Sequence, residues 1–230
     1  MASIFDDAEA AATRHFKQLA KAGSRGLHPN NAPRDMRRVL LKGCKWPKPC
    51  LASVRVWNPR LQRPTLCTVA IMLPHELVEA MARKTSVGEM QVDRGMAAAT
   101  AMHFDQIRQD TGLHALICTG LWCDATPCNW DRSKSVESIC MSFPGHQSSL
   151  RLPIVGIMKD HCLKHHTHDD LMSIISWSYR VALTGKSPSC RHDGTPWAKS
   201  DLKAGRAKQA GSNMLSPIPI IHLISLIFAR

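Results

Sequence analysis

Apolar and polar positions alternate with a period of two along several short runs of this chain, and helical periods fill the gaps between them. Leu51–Trp57 (LASVRVW) puts Ala52, Val54 and Val56 on one side and Leu51, Ser53, Arg55 and Trp57 on the other. Thr65–Met72 (TLCTVAIM) follows a turn containing Asn58-Pro59, so the pair predicts a β-hairpin. Pro74 opens a predicted helix through Lys84, with Leu77, Val78 and Met81 in one stripe. A longer helix is expected over 89–109, stopped by Gly112. Three strands follow, Leu113–Trp122, Ser135–Phe143 and Leu150–Met158, separated by a polar loop over 123–134 and a Pro144-Gly145 turn. Pro153 inside the third strand argues for a sheet edge or a bulge. Thr167 is placed to cap a helix from His168 to Leu183, with Asp169 and Asp170 in its first turn and Gly185 at its end.

The two ends read differently. Asp6–Ala22 is a predicted helix stopped by Gly23, a Gly/Pro/Asn-rich linker spans Ser24–Asn31, and Pro33 starts a short basic helix through Leu41. Residues 186–201 are irregular, 199–211 are basic and small, and 214–230 are apolar with Pro217 and Pro219. After Pro219 the apolar run falls short of the ~18 residues a membrane span needs. A buried terminal strand, a poor tail anchor, and a terminus foreign to the domain are the three readings of this tail. The expected organisation is an N-terminal helical and β-hairpin region (1–73), an α/β core (74–201) and a tail (202–230).

Charge adds a partner class. The chain carries 30 Lys+Arg against 18 Asp+Glu, a formal net charge of +12. Such an excess favours nucleic acid or another acidic surface, although a basic soluble protein needs no such partner. The basic candidates are Arg34, Arg37, Arg38, Lys42, Arg132 and Lys134, each a phosphate contact or part of a solvated face. The nine cysteines are odd in number and scattered, and the first residues hold acids instead of an apolar signal core. The expectation is therefore reduced thiols in the nucleus or cytoplasm, with no secretion and no membrane partner.

Two constellations could hold metal. Cys118, Cys123 and Cys128 are regularly spaced, and His161-Cys162-x2-His165-His166-x-His168 is dense in ligands. A zinc set drawn from Cys118, Cys123, Cys128, His161 and His165 would need four of them to converge tetrahedrally. Cys118 and Cys123 lie five apart on a strand and point to opposite faces, so buried free thiols and a surface His cluster are the alternative. Gly185-Lys186-Ser187 imitates the end of a phosphate-binding loop but has Arg180 where the motif needs Gly, and nothing marks one Cys as a nucleophile. The second constellation starts from Asp124, an acid after the first strand of the predicted meander, which equally suits a turn beside Pro127 and Asn129.

The motifs Gly120-Leu-Trp-Cys-Asp124, Pro127-Cys-Asn-Trp-Asp-Arg132, Ser135 with Glu137, Phe143-Pro-Gly145, Ile175-Ser-Trp-Ser178 and Arg191-His-Asp-Gly194 resemble a large group of uncharacterised multi-copy protist proteins. That group distantly resembles the catalytic region of CACTA-type DDE transposases, and the likeness spans roughly Pro74 to Asp201. It implies a partial RNase H-like core: a three-stranded meander with flanking helices, with Asp124 as the remnant of the first acid holding Mg²⁺ for phosphoryl chemistry. The second acid is expected on a fourth strand beyond the helix, and no acid-bearing strand is evident after Leu183. The resemblance thus implies a truncated, mobile-element-derived, nucleic-acid-associated protein without catalysis. The rival expectation is a non-enzymatic basic binding or scaffold module with structural zinc.

Overall fold

The alternation over Cys50–Asn58 becomes a strand whose even positions are buried and whose odd positions face solvent, so one face seeks a partner layer. A computed structural model of the chain describes residues 46–83, 98–112, 117–144, 151–199, 201, 205–214, 220–222 and 227–228. The predicted helices at Asp6–Ala22 and from Pro33 to Leu41 lie outside the described residues. From Pro47 to Arg230 the chain forms one compact unit, which holds both the hairpin and the central meander.

Strands β1 (Cys50–Asn58) and β2 (Arg63–Ile71) pair antiparallel in register from Cys50↔Ile71 to Asn58↔Arg63. The Asn58 side chain accepts the backbone N–H groups of Arg60 and Leu61, an Asx turn that closes the hairpin. Helix α1 (Pro74–Ala82) starts at its proline and buries Leu77, Val78 and Met81. Helix α2 (Ala98–Thr111) ends at Gly112, whose φ of 68° suits glycine. Then come β3 (Ile117–Pro127), β4 (Ser135–Ser142), β5 (Arg151–Met158), a single 3-10 turn (Lys159–His161) and helix α3 (His166–Thr184). A short helix α4 (Arg206–Gln209) and strands β6 (Ile220–His222) and β7 (Ile227–Phe228) follow among the described residues. The structure is thus mixed α and β, with a two-stranded sheet and a second sheet ordered β5-β4-β3-β6, in which β7 also pairs with β3. Strands β3, β4 and β5 are antiparallel neighbours, and β6 runs parallel to β3.

Two expectations change and one is met. The first meander strand does not stop at Trp122: pairing with β4 continues to Pro127↔Ser135, because a proline at the last rung needs no ladder N–H. Residues 123–127 therefore leave the predicted loop, and Asp124 is paired opposite Ser138 within the strand. Pro153 does sit on an edge strand, with a register shift opposite Ile139/Cys140. Helix α3 is not capped by Thr167, which lies inside its first turn. The Thr167 hydroxyl instead accepts from Leu163 N–H at 2.8 Å and donates to the Arg55 carbonyl at 2.7 Å. His165 precedes the helix with a φ of 68°.

The sheet and helices enclose Ile117, Leu121, Ile139, Met141, Leu152 and Val155 from the meander with Leu171, Ile174 and Ile175 of α3. Beside this apolar core lies a buried ionic one. Arg206 is 3% exposed and Asp201 0% exposed. The Arg206 guanidinium donates to both Glu76 oxygens at 2.6 and 2.7 Å, to Asp201 Oδ1 at 2.9 Å and to the Lys48 carbonyl at 2.5 Å. Arg191 donates to the second Asp201 oxygen at 3.2 Å and to the Leu51 carbonyl. Burial opposes the Arg206 charge, yet the Glu76 contacts outweigh it and raise the arginine's pKa above its ordinary value. Removing the cation leaves half-buried Glu76 without its partner and buried Asp201 with Arg191 as its one cation among the described residues. Arg206→Met should therefore cost roughly 3–5 kcal/mol in urea unfolding, whereas replacing Glu76, Asp201 and Arg206 together by apolar residues should cost far less. Equal losses in the two variants would refute the pairing argument.

Candidate functional site

A period of two on β3 and β4 sorts the candidate side chains onto two faces of the sheet. Ala125 pairs with Glu137 and Cys123 with Ile139, so Cys123 and Glu137 share the face that carries buried Leu121, Ile139 and Met141. Thr119 lies on that face too, and its side chain hydrogen-bonds Tyr179 of α3. Asp124 pairs with Ser138 and points to the other side, where it is exposed. That second face carries Trp122, whose indole N–H donates to Ser142 Oγ at 2.8 Å and whose ring lies 4.4 Å beneath the Arg151 guanidinium.

On the helix-covered face, Glu137, Cys162 and His168 converge. His168 Nε2 is 2.8 Å from Glu137 Oε2, and the Cys162 thiol donates to the same oxygen at 3.4 Å. All three ligand atoms lie within 4.8 Å of one another. They come from β4, the turn after β5 and the first turn of α3. Glu137 is 17% and His168 41% exposed at the side chain, so solvent reaches the group. Burial first, and then Glu137, push the Cys162 thiol up to about 12. Burial, followed by Glu137, also raises Cys123, which places that thiol in electrostatic reach of the group.

The expected zinc residues do not gather as a set. Cys118 is buried at the start of β3 on the face opposite Cys123, and burial raises it to about 11. Cys128 is exposed, and its backbone N–H donates to the Lys134 carbonyl. His161 and His165 are both exposed. Among the described residues, the one cluster of three metal-ligating side chains takes Cys162 and His168 from the ligand-dense segment and adds Glu137. The carboxylate escaped sequence reading because a Glu on a half-buried strand is ordinarily a solvent-facing residue; only the β3–β4 register reveals its face. Cys50 is also raised, to about 11, by burial and then by Asp201, so these four shifted thiols are all held protonated.

The β3–β4 connection forms a second site. Arg34, Arg37, Arg38 and Lys42 lie outside the described residues, but Arg132 and Lys134 are here and exposed. The loop is internally tied. Asn129 donates to Ser133 Oγ at 2.8 Å and accepts Lys134 N–H at 2.8 Å, while Asp131 accepts the Ser133 N–H at 3.1 Å and hydroxyl at 2.9 Å. Arg132 takes a φ of 57°. Trp130 stands at the tip with 102% exposure. Lys134 pairs with Asp160, and together they border a cleft of about 760 Å³ rimmed by Arg60, His161 and the exposed Leu66. Comparison with known proteins returns no match to any family model, curated protein or solved structure.

Two motif segments meet around half-buried Trp177. Trp177 lies edge-on to His75, His192 and Trp197 at centroid distances of 5.7, 6.3 and 6.3 Å. Ser178 Oγ accepts His75 N–H at 3.1 Å and lies 2.7 Å from His75 Nδ1. A His–Ser pair invites a hydrolase reading, but both side chains are buried. Burial first, and then Arg206, lower the His75 pKa to about 3 from its ordinary 6.5, so the neutral ring accepts the serine proton. With a depressed folded pKa, the unfolded chain takes the proton first. His75 therefore contributes its full stability above about pH 6.5 and loses it as pH falls toward about 3. That is up to roughly tenfold in the unfolding constant per pH unit. Urea midpoints from pH 7 to 5 should fall more steeply for the wild type than for His75→Gln; parallel slopes would overturn the assignment.

Proposed function

We propose that this protein is a mobile-element-derived, nucleic-acid-associated protein that binds through the β3–β4 loop of a partial RNase H-like core and does not cut. The observation that carries the reading is the tied loop itself, which presents a fully exposed indole between Asn129 and Arg132 on a chain of net charge +12. An ordered aromatic beside cations offers an unpaired base a stacking surface and its phosphates a counter-charge. The strand order supports the core assignment. A meander β3-β4-β5, then a helix, then β6 beside β3 is the sequence of elements the transposase resemblance calls for. The acid on the first strand corresponds to Asp124. The fourth strand, Ile220–His222, carries no carboxylate, and Asp124 belongs to no metal-ligating trio among the described residues. Two-cation phosphoryl chemistry requires converging oxygen ligands, so the reading is binding without hydrolysis.

The test is anisotropy titration of the full chain against single- and double-stranded oligonucleotides over a salt series. Affinity should fall linearly in log–log form with salt. Trp130→Ala should weaken single-strand binding by about 1–3 kcal/mol, and Arg132→Ala should reduce the salt slope by about one. Asp124→Ala should leave binding unchanged, with no Mg²⁺-dependent nicking by either form. Absence of binding at low salt sinks the proposal, and nicking that Asp124→Ala abolishes sinks its non-catalytic half.

A further inference from the structure

Glu137, Cys162 and His168 are hydrogen-bonded to one another, yet their donor set (one oxygen, one sulfur, one imidazole nitrogen) is that of a borderline divalent metal. We infer that Glu137, Cys162 and His168 form a binding site for a zinc-class divalent ion, with the fourth position open to solvent. This site is independent of the nucleic-acid reading and lies on the opposite face of the sheet from Asp124.

Geometry carries the argument. Tetrahedral zinc with bonds near 2.0 Å to N and O and 2.3 Å to S sets its ligand atoms about 3.3–3.5 Å apart. Cys162 Sγ and Glu137 Oε2 already stand at 3.4 Å. His168 Nε2 and Glu137 Oε2, at 2.8 Å, need to separate by about half an ångström. The His168 side chain, 41% exposed, has room for that shift. The ligands come from β4, the end of the turn after β5 and α3, so the ion would lock the start of α3 and that turn onto β4. On binding, the Cys162 thiol gives its proton to solvent, the Nε2 proton of His168 leaves so that the neutral ring keeps its proton on Nδ1, and both hydrogen bonds to Oε2 are exchanged for metal bonds. Cys123 is the nearest further thiol by its electrostatic reach, but it falls outside the 4.8 Å group, which leaves the fourth position to water.

The probe is Co²⁺ added to the reduced full-length chain, followed by visible absorption and competition with Zn²⁺. One Co²⁺ per chain should bind with a thiolate charge-transfer band, and Zn²⁺ should displace it. Cys162→Ser should abolish the band, while Cys123→Ser and Cys128→Ser should retain it. Glu137→Gln and His168→Gln should each weaken Co²⁺ at least about tenfold. His168→Gln changes a part-exposed side chain and keeps the test decisive if circular dichroism finds Cys162→Ser unfolded. No stoichiometric uptake, a band that survives in folded Cys162→Ser, or unchanged affinity in both Glu137→Gln and His168→Gln would each overturn the inference.

Discussion

A guanidinium taken out of water must be matched group for group, and Arg206 is matched by segments far apart in the chain. Its partners are the Lys48 carbonyl before β1, Glu76 on α1 and Asp201 in the segment ahead of α4. Because a stranded charge costs more than the finished pair contributes, these contacts form together or not at all. Arg191 extends the network from Asp201 to the Leu51 carbonyl, so the start of β1 is held from two sides. An irregular segment with little apolar surface of its own is thereby given a fixed place. Trp197 donates to the Pro188 carbonyl and closes it further.

What β1 receives from that network it passes to α3. The Arg55 guanidinium meets Asp170 through Nε and Nη2, the Arg55 backbone N–H donates to the same carboxylate at 2.9 Å, and the Arg55 carbonyl accepts from Thr167. Arg55 is largely exposed, so the ion pair contributes little net stability; its value lies in direction. Four contacts to one residue fix the first turn of α3 both along and about its axis. The docked turn is entered through His165 at a left-handed φ of 68°. It sets His168 against Glu137. The candidate metal trio is thus a downstream result of how β1 holds the helix.

Local periodicity made the elements legible in the sequence. The alternation over Leu51–Trp57, the Leu77/Val78/Met81 stripe, the Leu171/Ile174/Ile175 face and Gly185 as a left-handed stop all match the observed burial and capping. Such features depend on neighbours within a few residues. The contacts that organise the molecule do not: Glu76 and Arg206 are 130 positions apart, Lys48 and Arg206 158. Asp201 reads as a solvated loop acid because its partners Arg206 and Arg191, five and ten residues away, are held against it only by Glu76 and the Lys48 and Leu51 carbonyls, far off in the chain. The site was half legible for the same reason. Cys162 and His168 stand in a visibly ligand-dense segment, whereas Glu137 becomes a partner only once β3 and β4 are aligned. Extending β3 by five residues past Trp122 decides that alignment, and a β3 ending at Trp122 leaves both Asp124 and Ala125 without a face.

The same alignment separates two kinds of chemistry. A one-residue step along β3 moves from Cys123, on the side of Glu137, to Asp124, on the side of Ser138. One face gathers oxygen, sulfur and imidazole donors within a few ångströms under α3. The other presents a single exposed carboxylate. Hard divalent ions need several oxygens at once and shed water reluctantly, so a single exposed acid in high dielectric gives them little hold. Borderline ions accept the mixed set. The register that buries Leu121, Ile139 and Met141 therefore also holds these two sets of donors on opposite faces of the β3–β4 pair. The tied loop at its end, by contrast, is free of that constraint: Trp130 and Arg132 lie beyond the last paired rung, Pro127↔Ser135, and reach solvent whichever face of the sheet is occupied.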